Sequence, residues 1–326
     1  MRQFFGLRHL LTVAAVLLAV NLTAQTTMEQ VATAYNEGVN AMASNPELAI
    51  KAFEKTIILA DEVTDPEAAT LKQNAIGQIP KLYFDWAKLL AGKKDLTGSI
   101  TQLENCLAAS QKYGSTQYVD QAKGTIVAIY LSLGNTALVA KDYPGAHKNY
   151  DGALSYDSNN TKAYRGKVQA FQGQDMMTEM VAAADAGIAA GKLPSDAAVV
   201  ADIKKLVANT YFNAAQKAAQ EKAYPKVEES LLTSMKYGNN TAVVYYQLGL
   251  VRINMKKWAD AVESLNEALE YEEGGDAEKA KYYFNLGKSY EALANPAKAC
   301  ESYKKALFGE FAAAAKYQIE TVLKCG

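Results

Sequence analysis

Apolar residues recur three or four positions apart along almost all of the chain beyond residue 30. Because an α-helix turns once every 3.6 residues, this spacing predicts a succession of amphipathic helices, each with one buried face. Proline is tolerated at the first helical position, and four prolines stand where the second helix of a pair should begin: Pro46, Pro144, Pro225 and Pro296. The runs Asn159-Asn160-Thr161 and Asn239-Asn240-Thr241 are predicted to cap the helices that follow them. The pattern predicts an all-α chain.

Tyrosine marks a longer period in the sequence. The signature tyrosines are Tyr83, Tyr130, Tyr164, Tyr211, Tyr245, Tyr283 and Tyr317, and the gaps between them are 47, 34, 47, 34, 38 and 34 residues. Each 47-residue gap is one 34-residue unit with 13 residues added. In the stretches that begin at Val127, Ala242 and Ala280, the tyrosine is followed three residues later by Leu-Gly and later by regularly placed alanines. The chain therefore contains an internal repeat.

The repeat resembles the tetratricopeptide repeat, a 34-residue pair of helices, with tyrosine in place of its first tryptophan. The resemblance implies a right-handed α-solenoid of antiparallel helix pairs, a superhelix of about six to seven helical hairpins with a C-terminal capping helix. The expected units lie near residues 30–63, 80–113, 127–160, 161–194, 208–241, 242–275 and 280–313, with the cap at 314–326, in a single domain that spans 25–326. The signature tyrosines are expected to pack between paired helices, which small residues such as Gly249 and Gly287 allow to approach closely.

Three additional segments are predicted to lengthen first helices. Two of these helices should begin near Thr116 and Ser195, and the segment Asp65–Ile79 should extend a third, with Pro80 as a kink. The tail from Phe311 to Lys324 matches the start of one more first helix and then stops. Such a cap covers the last apolar face of an array.

The N-terminus is predicted to be a secretory signal peptide, residues 1–24. Arg2 and Arg8 precede an apolar stretch of 11 residues, Leu10–Val20, which is too short to span a bilayer, and Leu22-Thr23-Ala24 is an acceptable cleavage site. An uncleaved anchor is the alternative. We therefore expect an exported protein, periplasmic or secreted, with no integral membrane span after removal of the signal.

Composition argues against most chemistries. The predicted signal contains His9, which leaves His147 as the one histidine of the mature chain, and arginine is rare beyond it. A histidine cluster for a metal is excluded, and the formal net charge of −1 provides no field for nucleic acid. We predict no catalytic residue, no metal site, no cofactor and no nucleic-acid partner, so the chain is not expected to be an enzyme.

The three cysteines are far apart in sequence. Cys106 occupies a position where the repeat places a small buried residue, so we expect an inert core thiol. Cys300 and Cys325 are expected to be neighbours across the final interface. A disulfide between them stays open, because sequence cannot supply the required Cα separation.

The resemblance implies a concave groove lined by first helices. The predicted partner-binding residues are Phe212, Tyr246, Leu250, Ile253 and Phe284, a stripe more apolar than a solvated face should be. The alternative is that a tight superhelix buries these side chains against one another. We expect an exported, non-enzymatic scaffold that binds a protein or peptide partner; the alternative is a ligand-binding protein for glycans or peptides that uses groove tyrosines. Neither the partner's identity nor the oligomeric state follows from the sequence.

Overall fold

The computed structural model describes residues 26–326, so the predicted signal peptide at 1–24 lies outside the described residues. That part of the chain contains fifteen α-helices and no strand. It divides into two compact units at Tyr130. Both consist of consecutive helix pairs joined by short turns, so neighbouring helices run antiparallel. The prediction of an all-α solenoid is confirmed.

The first unit contains four helices and the beginning of a fifth. They are α1 (Met28–Ala41), α2 (Pro46–Ala60), α3 (Pro66–Gly92), α4 (Leu96–Tyr113) and α5 (Val119–Val139), which continues into the second unit. Helix α1 packs against α2, and α3 packs against both α2 and α4. Phe53, Ile79 and Leu82 are central to its apolar core.

The second unit continues the same arrangement. After α5 come α6 (Tyr143–Tyr156), α7 (Thr161–Gly173), α8 (Met177–Ala190), α9 (Ala197–Gln220), α10 (Tyr224–Lys236), α11 (Ala242–Asn254), α12 (Trp258–Glu270), α13 (Asp276–Ala292), α14 (Pro296–Lys305) and α15 (Ala312–Tyr317), which a π-helical turn, Gln318–Val322, extends. From α6 to α14 each helix contacts the next one in the chain. Each helix from α7 to α13 therefore packs against both the helix before it and the helix after it.

The prolines and capping residues identified in the sequence lie at the starts of helices, as predicted. All four marked prolines occupy the first or second position of their helices. The side chain of Asn160 accepts a hydrogen bond from the backbone N–H of Ala163, and Thr241 accepts one from Val244. These caps satisfy N–H groups that have no partner inside the helix.

Glycine on the first helix receives a large side chain from the second helix. A Cβ added to Gly287 would lie 2.6 Å from a ring carbon of Tyr303, and one added to Gly134 would lie 2.6 Å from the ring of Tyr150. Gly38 faces Phe53 and Gly249 faces Leu265 in the same way. Real Cβ atoms do not come this close to other atoms, so any other residue at these positions would force the facing side chain to move.

The signature tyrosines contribute less to the core than expected. Tyr245 packs at the edge of the cluster of Leu265, Ala268 and Leu286, with its ring stacked on Tyr271 at 5.2 Å, and Tyr317 is 58% exposed. The largest fully buried side chains are instead Tyr150, Tyr282, Tyr303 and Phe53. The expectation holds only in part, because the leucine three residues after the tyrosine, such as Leu248, takes the buried position.

The long first helices follow the predicted additions. Helix α3 runs for 27 residues through Pro80, α5 begins at Val119, and α9 begins at Ala197 after a 3₁₀ turn, Pro194–Asp196. The sequence analysis predicted no membrane-spanning segment here. Judged only by its length and composition, however, α5 could cross a membrane. The side chain of Asn135 on α5 accepts a hydrogen bond from the Tyr150 hydroxyl of α6 at 2.8 Å, as expected for the first helix of a repeat.

The glycine contact predicts the effect of Gly287→Ala. The added methyl group would push the ring of Tyr303 out of its site between α13 and α14, and overpacking of this kind costs about 1–3 kcal/mol. Urea denaturation of the variant should give a free energy of unfolding lower by about that amount.

Gly124→Ala on α5 is the matched control, because nothing lies within 4 Å of an added Cβ there. Replacing an exposed helical glycine with alanine should stabilise the helix by roughly 0.5–1 kcal/mol. Equal effects of the two substitutions would contradict the assignment of the glycine contact.

Candidate binding surface

The five predicted groove residues lie on three first helices of the second unit. Phe212 is on α9, Tyr246, Leu250 and Ile253 are on α11, and Phe284 is on α13; all five are half-buried. The fully buried side chains of α11 are on other faces, among them Val244 and Leu248. Spaced four and three residues apart, Tyr246, Leu250 and Ile253 share one face of the helix. We call these five residues the apolar stripe.

Tyr246 is held firmly in the stripe. Its ring meets the ring of Tyr282 edge-on at 5.1 Å, and the side-chain N–H of Asn285 donates to its hydroxyl at 3.3 Å. The ammonium group of Lys281 lies 5.7 Å from the ring centre. Burial raises the pKa of the Tyr246 hydroxyl, so the group stays neutral near neutral pH. Tyr246 therefore presents a fixed, uncharged surface.

Phe284 forms the C-terminal end of the stripe. Its ring centre lies 5.6 Å from that of Tyr303 and 5.4 Å from that of Phe311. It borders an open pocket of about 440 Å³ that Lys288, Glu291 and Gln318 also line. At this end, apolar ring surface and charged side chains occur together.

A second, polar concavity lies between α7 and α9. Its volume is about 260 Å³, and Arg165, Gln169, Asp202, Lys205 and Asn209 are among the residues that line it. The guanidinium of Arg165 lies 3.2 Å from the carboxylate of Asp202. The predicted partner-binding residues do not include the residues of this polar pocket.

Val243 is a further residue that the sequence analysis missed. It lies on α11, three residues before Tyr246 and seven before Leu250, and its side chain is 52% exposed. The helical spacing places it on the same face as the stripe. Its apolar character at that spacing was the signal that could have identified it.

Two ion pairs that share the partly buried carboxylate of Glu228 position α11 relative to its neighbours. The carboxylate of Glu228 on α10 accepts from Arg252 on α11 at 3.0 Å and from Lys257 at the start of α12 at 2.6 Å. Burial acts to raise the pKa of Glu228, but these two cations outweigh it and hold the pKa below its usual range. Helices α10, α11 and α12 are therefore joined by charge as well as by apolar packing.

The other candidate groups have structural surroundings. Cys106 is fully buried, and burial raises the pKa of its thiol. The structure joins Cys300 and Cys325 in a disulfide. Within residues 26–326, no group of three or more histidine, cysteine, aspartate or glutamate side chains could hold a metal ion.

The tetratricopeptide repeat family matches residues 240–307, which contain α11 to α14 and most of the apolar stripe. Residues 240–307 are tetratricopeptide repeats. The helices before residue 240 are also arranged in contacting pairs, but the family match does not include them. No curated protein matches the sequence.

Several solved tetratricopeptide repeat proteins are similar in structure. YrrB, described as having an unusual peptide-binding site, is 20% identical, covers 58% of this chain and 90% of its own, and has a TM-score of 0.31. MamA is 17% identical over 61% of this chain and 96% of its own, with a TM-score of 0.31. A repeat protein from Parabacteroides merdae is 12% identical over 91% of this chain and 100% of its own, with a TM-score of 0.28. TM-scores this low carry no argument, so the fold rests on the chain's own helix pairs.

His147 lies outside the apolar stripe, on the second helix of an earlier pair. Its ring centre lies 4.1 Å from that of Phe171, and its Nε2 lies 3.0 Å from the side-chain nitrogen of Gln174. Burial, and secondarily the charge of Lys167, lower the pKa of His147, while Asp151 acts in the opposite direction. The folded protein therefore favours the neutral ring.

This lowered pKa predicts a pH dependence of stability. When folding lowers the pKa of an imidazole, the free energy of unfolding is unaffected by that group above its ordinary pKa. Below that pKa the unfolded state takes up a proton that the folded state does not, so the free energy of unfolding falls as the pH drops. Urea denaturation between about pH 8 and pH 5.5 should show a falling free energy of unfolding, and His147→Phe should flatten that slope. Parallel slopes for the two proteins would contradict the proposed role of burial at His147.

Proposed function

We propose that the chain is an exported, non-enzymatic scaffold that binds a segment of a partner protein along the apolar stripe. The observation that carries this proposal is the partial exposure of apolar side chains on one face of α11, with Val243 52% exposed and Tyr246, Leu250 and Ile253 half-buried. Apolar side chains that stay accessible together on a folded protein mark interaction sites.

The chemistry of the surface favours a protein segment over a small polar ligand. Phe212, Leu250 and Phe284 offer apolar contact area but no hydrogen-bonding group. An amphipathic helix or an apolar stretch of extended chain can bury such side chains at regular spacing. Lys288 and Glu291, one and two turns after Phe284, are exposed and would contact polar residues at the rim of the interface.

The location of the protein is part of the proposal. The basic residues, the apolar run of 11 residues and the small residues before Gln25 are typical of a secretory signal. An exported protein meets an oxidising environment, in which a disulfide persists. The disulfide between Cys300 and Cys325 is compatible with that location.

A ligand-binding protein is the second candidate, and the polar pocket between α7 and α9 favours it. Arg165, Gln169 and Asn209 could form hydrogen bonds to a glycan or to a peptide backbone. Tyrosine is not among the residues that line this pocket, so it does not correspond to the tyrosine platform expected from the sequence.

Leu250→Lys tests the main proposal. The mutation places a charge in the centre of the stripe, and binding of an apolar segment would have to remove water from that charge at a high cost. In the free protein the half-exposed position lets the ammonium group reach water, so the fold should be preserved. Affinity capture from the cell envelope, with quantitative mass spectrometry, should show the principal partner reduced by about tenfold or more relative to the wild type, with unchanged circular dichroism.

Leu232→Lys is the matched control, because Leu232 is a leucine of α10 that is 44% exposed and lies outside the stripe. It should leave capture unchanged. The double variant Tyr246→Ala and Leu250→Ala should also lose the partner while it stays helical. If it unfolds, the stripe is part of the core; if it folds and still captures the partner, the binding surface lies elsewhere.

A further inference from the structure

The C-terminal segment, residues 312–326, has little secondary structure of its own to keep it in place. Helix α15 contains six residues, and the π-helical turn after it contains five. Helices shorter than about 12 residues are marginal in water without tertiary contacts. Within the segment, the buried side chains are Ala315 and Ile319, whereas Tyr317 is 58% exposed. The apolar contacts that hold the segment are therefore mainly those of Ala315 and Ile319, with the partly buried Leu323 beside them.

A covalent bond supplements these contacts. The disulfide joins Cys300, on α14, to Cys325, which follows the π-helical turn, across 25 positions in sequence. A cross-link of this kind acts mainly by restricting the freedom of the released chain. Local opening of the segment is therefore restricted for as long as the disulfide is intact.

The segment covers apolar surface next to the C-terminal end of the stripe. Ala315 and Ile319 pack in one cluster with Ala299, Tyr303 and Ala306. Phe284 contacts this cluster from its edge, and Gln318 lines the pocket beside Phe284. Removal of the segment would expose the ring of Tyr303 and widen the access to Phe284.

We propose that the Cys300–Cys325 disulfide is a redox-controlled latch that keeps the C-terminal segment closed over Tyr303 and Phe284, and that its reduction opens this end of the stripe. The consequence for partner binding rests on the proposed function. The latch itself does not, because opening of the segment can be measured on the isolated protein.

The reaction is a thiol–disulfide exchange with a dithiol, either a small molecule or a dithiol protein. The thiolate of the dithiol attacks Sγ of Cys325, which is half-buried, forms a mixed disulfide with it and releases Cys300 as the leaving thiolate. The second thiol of the reagent then displaces Cys325. Two electrons and two protons pass from the dithiol to the protein, which ends with two thiols, while the reagent becomes a disulfide. Cys106 is fully buried and free, so it does not take part.

Hydrogen–deuterium exchange on the mature chain, with and without dithiothreitol, tests the latch. Peptides from residues 312–326 should exchange faster by about tenfold or more after reduction, while peptides from α11 and α12 stay protected. The variant Cys300→Ser and Cys325→Ser should exchange like the reduced wild type and should not respond to dithiothreitol. Cys106→Ala is the control variant, and it should keep the full response.

Two results would overturn the proposal. Unchanged exchange in residues 312–326 after complete reduction, verified by thiol labelling of Cys300 and Cys325, would mean that the non-covalent contacts suffice. Loss of protection throughout α11 to α14 would mean that the disulfide supports the whole array and does not act as a latch. Partner capture does not enter either measurement, so a failure of the proposed function is distinguished from a failure of the latch.

Discussion

In four of the helix pairs, a large side chain of the second helix inserts against a glycine of the first helix, and this contact sets how closely the two helices approach. It recurs between Gly38 and Phe53, Gly134 and Tyr150, Gly249 and Leu265, and Gly287 and Tyr303. Without a Cβ on the first helix, the ring or the branched side chain lies directly on backbone atoms, and close packing of this kind gives the largest gain in dispersion contacts. Two of the tyrosines can be fully buried because their hydroxyls reach polar partners: Tyr150 donates to Asn135, and Tyr303 donates to Glu291. The apolar ring is buried and the polar group is still satisfied.

This contact determines what the remaining faces of a first helix can do. On α11, one face receives Leu265, and the buried residues Val244 and Leu248 pack in the cluster shared with α9 and α10. Tyr246 meets Tyr282 of the following first helix only at its edge. On α11, the stripe residues Tyr246, Leu250 and Ile253 lie on the part of the helix surface that these contacts leave partly accessible.

Helix pairing could be predicted from sequence because its signals are local. A proline such as Pro296 and a cap such as Thr241 each act within one turn of helix, so spacing alone identifies them. The burial of a given ring could not be predicted in the same way, because it depends on residues of the next pair. Tyr245 has the signature position, yet it packs only at the edge of its core cluster, with its ring stacked on Tyr271. The same limit applies to the disulfide, since the Cα separation of 6.3 Å between Cys300 and Cys325 is produced by the fold of the C-terminal segment.

The turns between paired helices contain a residue in a strained backbone conformation. In six hairpins the second residue after the end of the first helix has a positive φ although it is not glycine: Lys94, Lys141, Asp175, Lys222, Lys256 and Ala294. In each, the next residue's N–H bonds to the carbonyl five positions before it, as Asp142 does with Ala137. The left-handed conformation costs roughly 1–2 kcal/mol for such a residue. The first hairpin lacks this residue, and the N–H of Asn45 bonds to the carbonyl of Ala41, four positions before it. Correspondingly, Gly38 and Phe53 are 15 positions apart, whereas Gly134 and Tyr150 are 16 positions apart. In the hairpins of Lys141, Lys256 and Ala294, this strained residue is the one additional position that brings the second-helix side chain opposite its glycine, and the buried contact outweighs its cost.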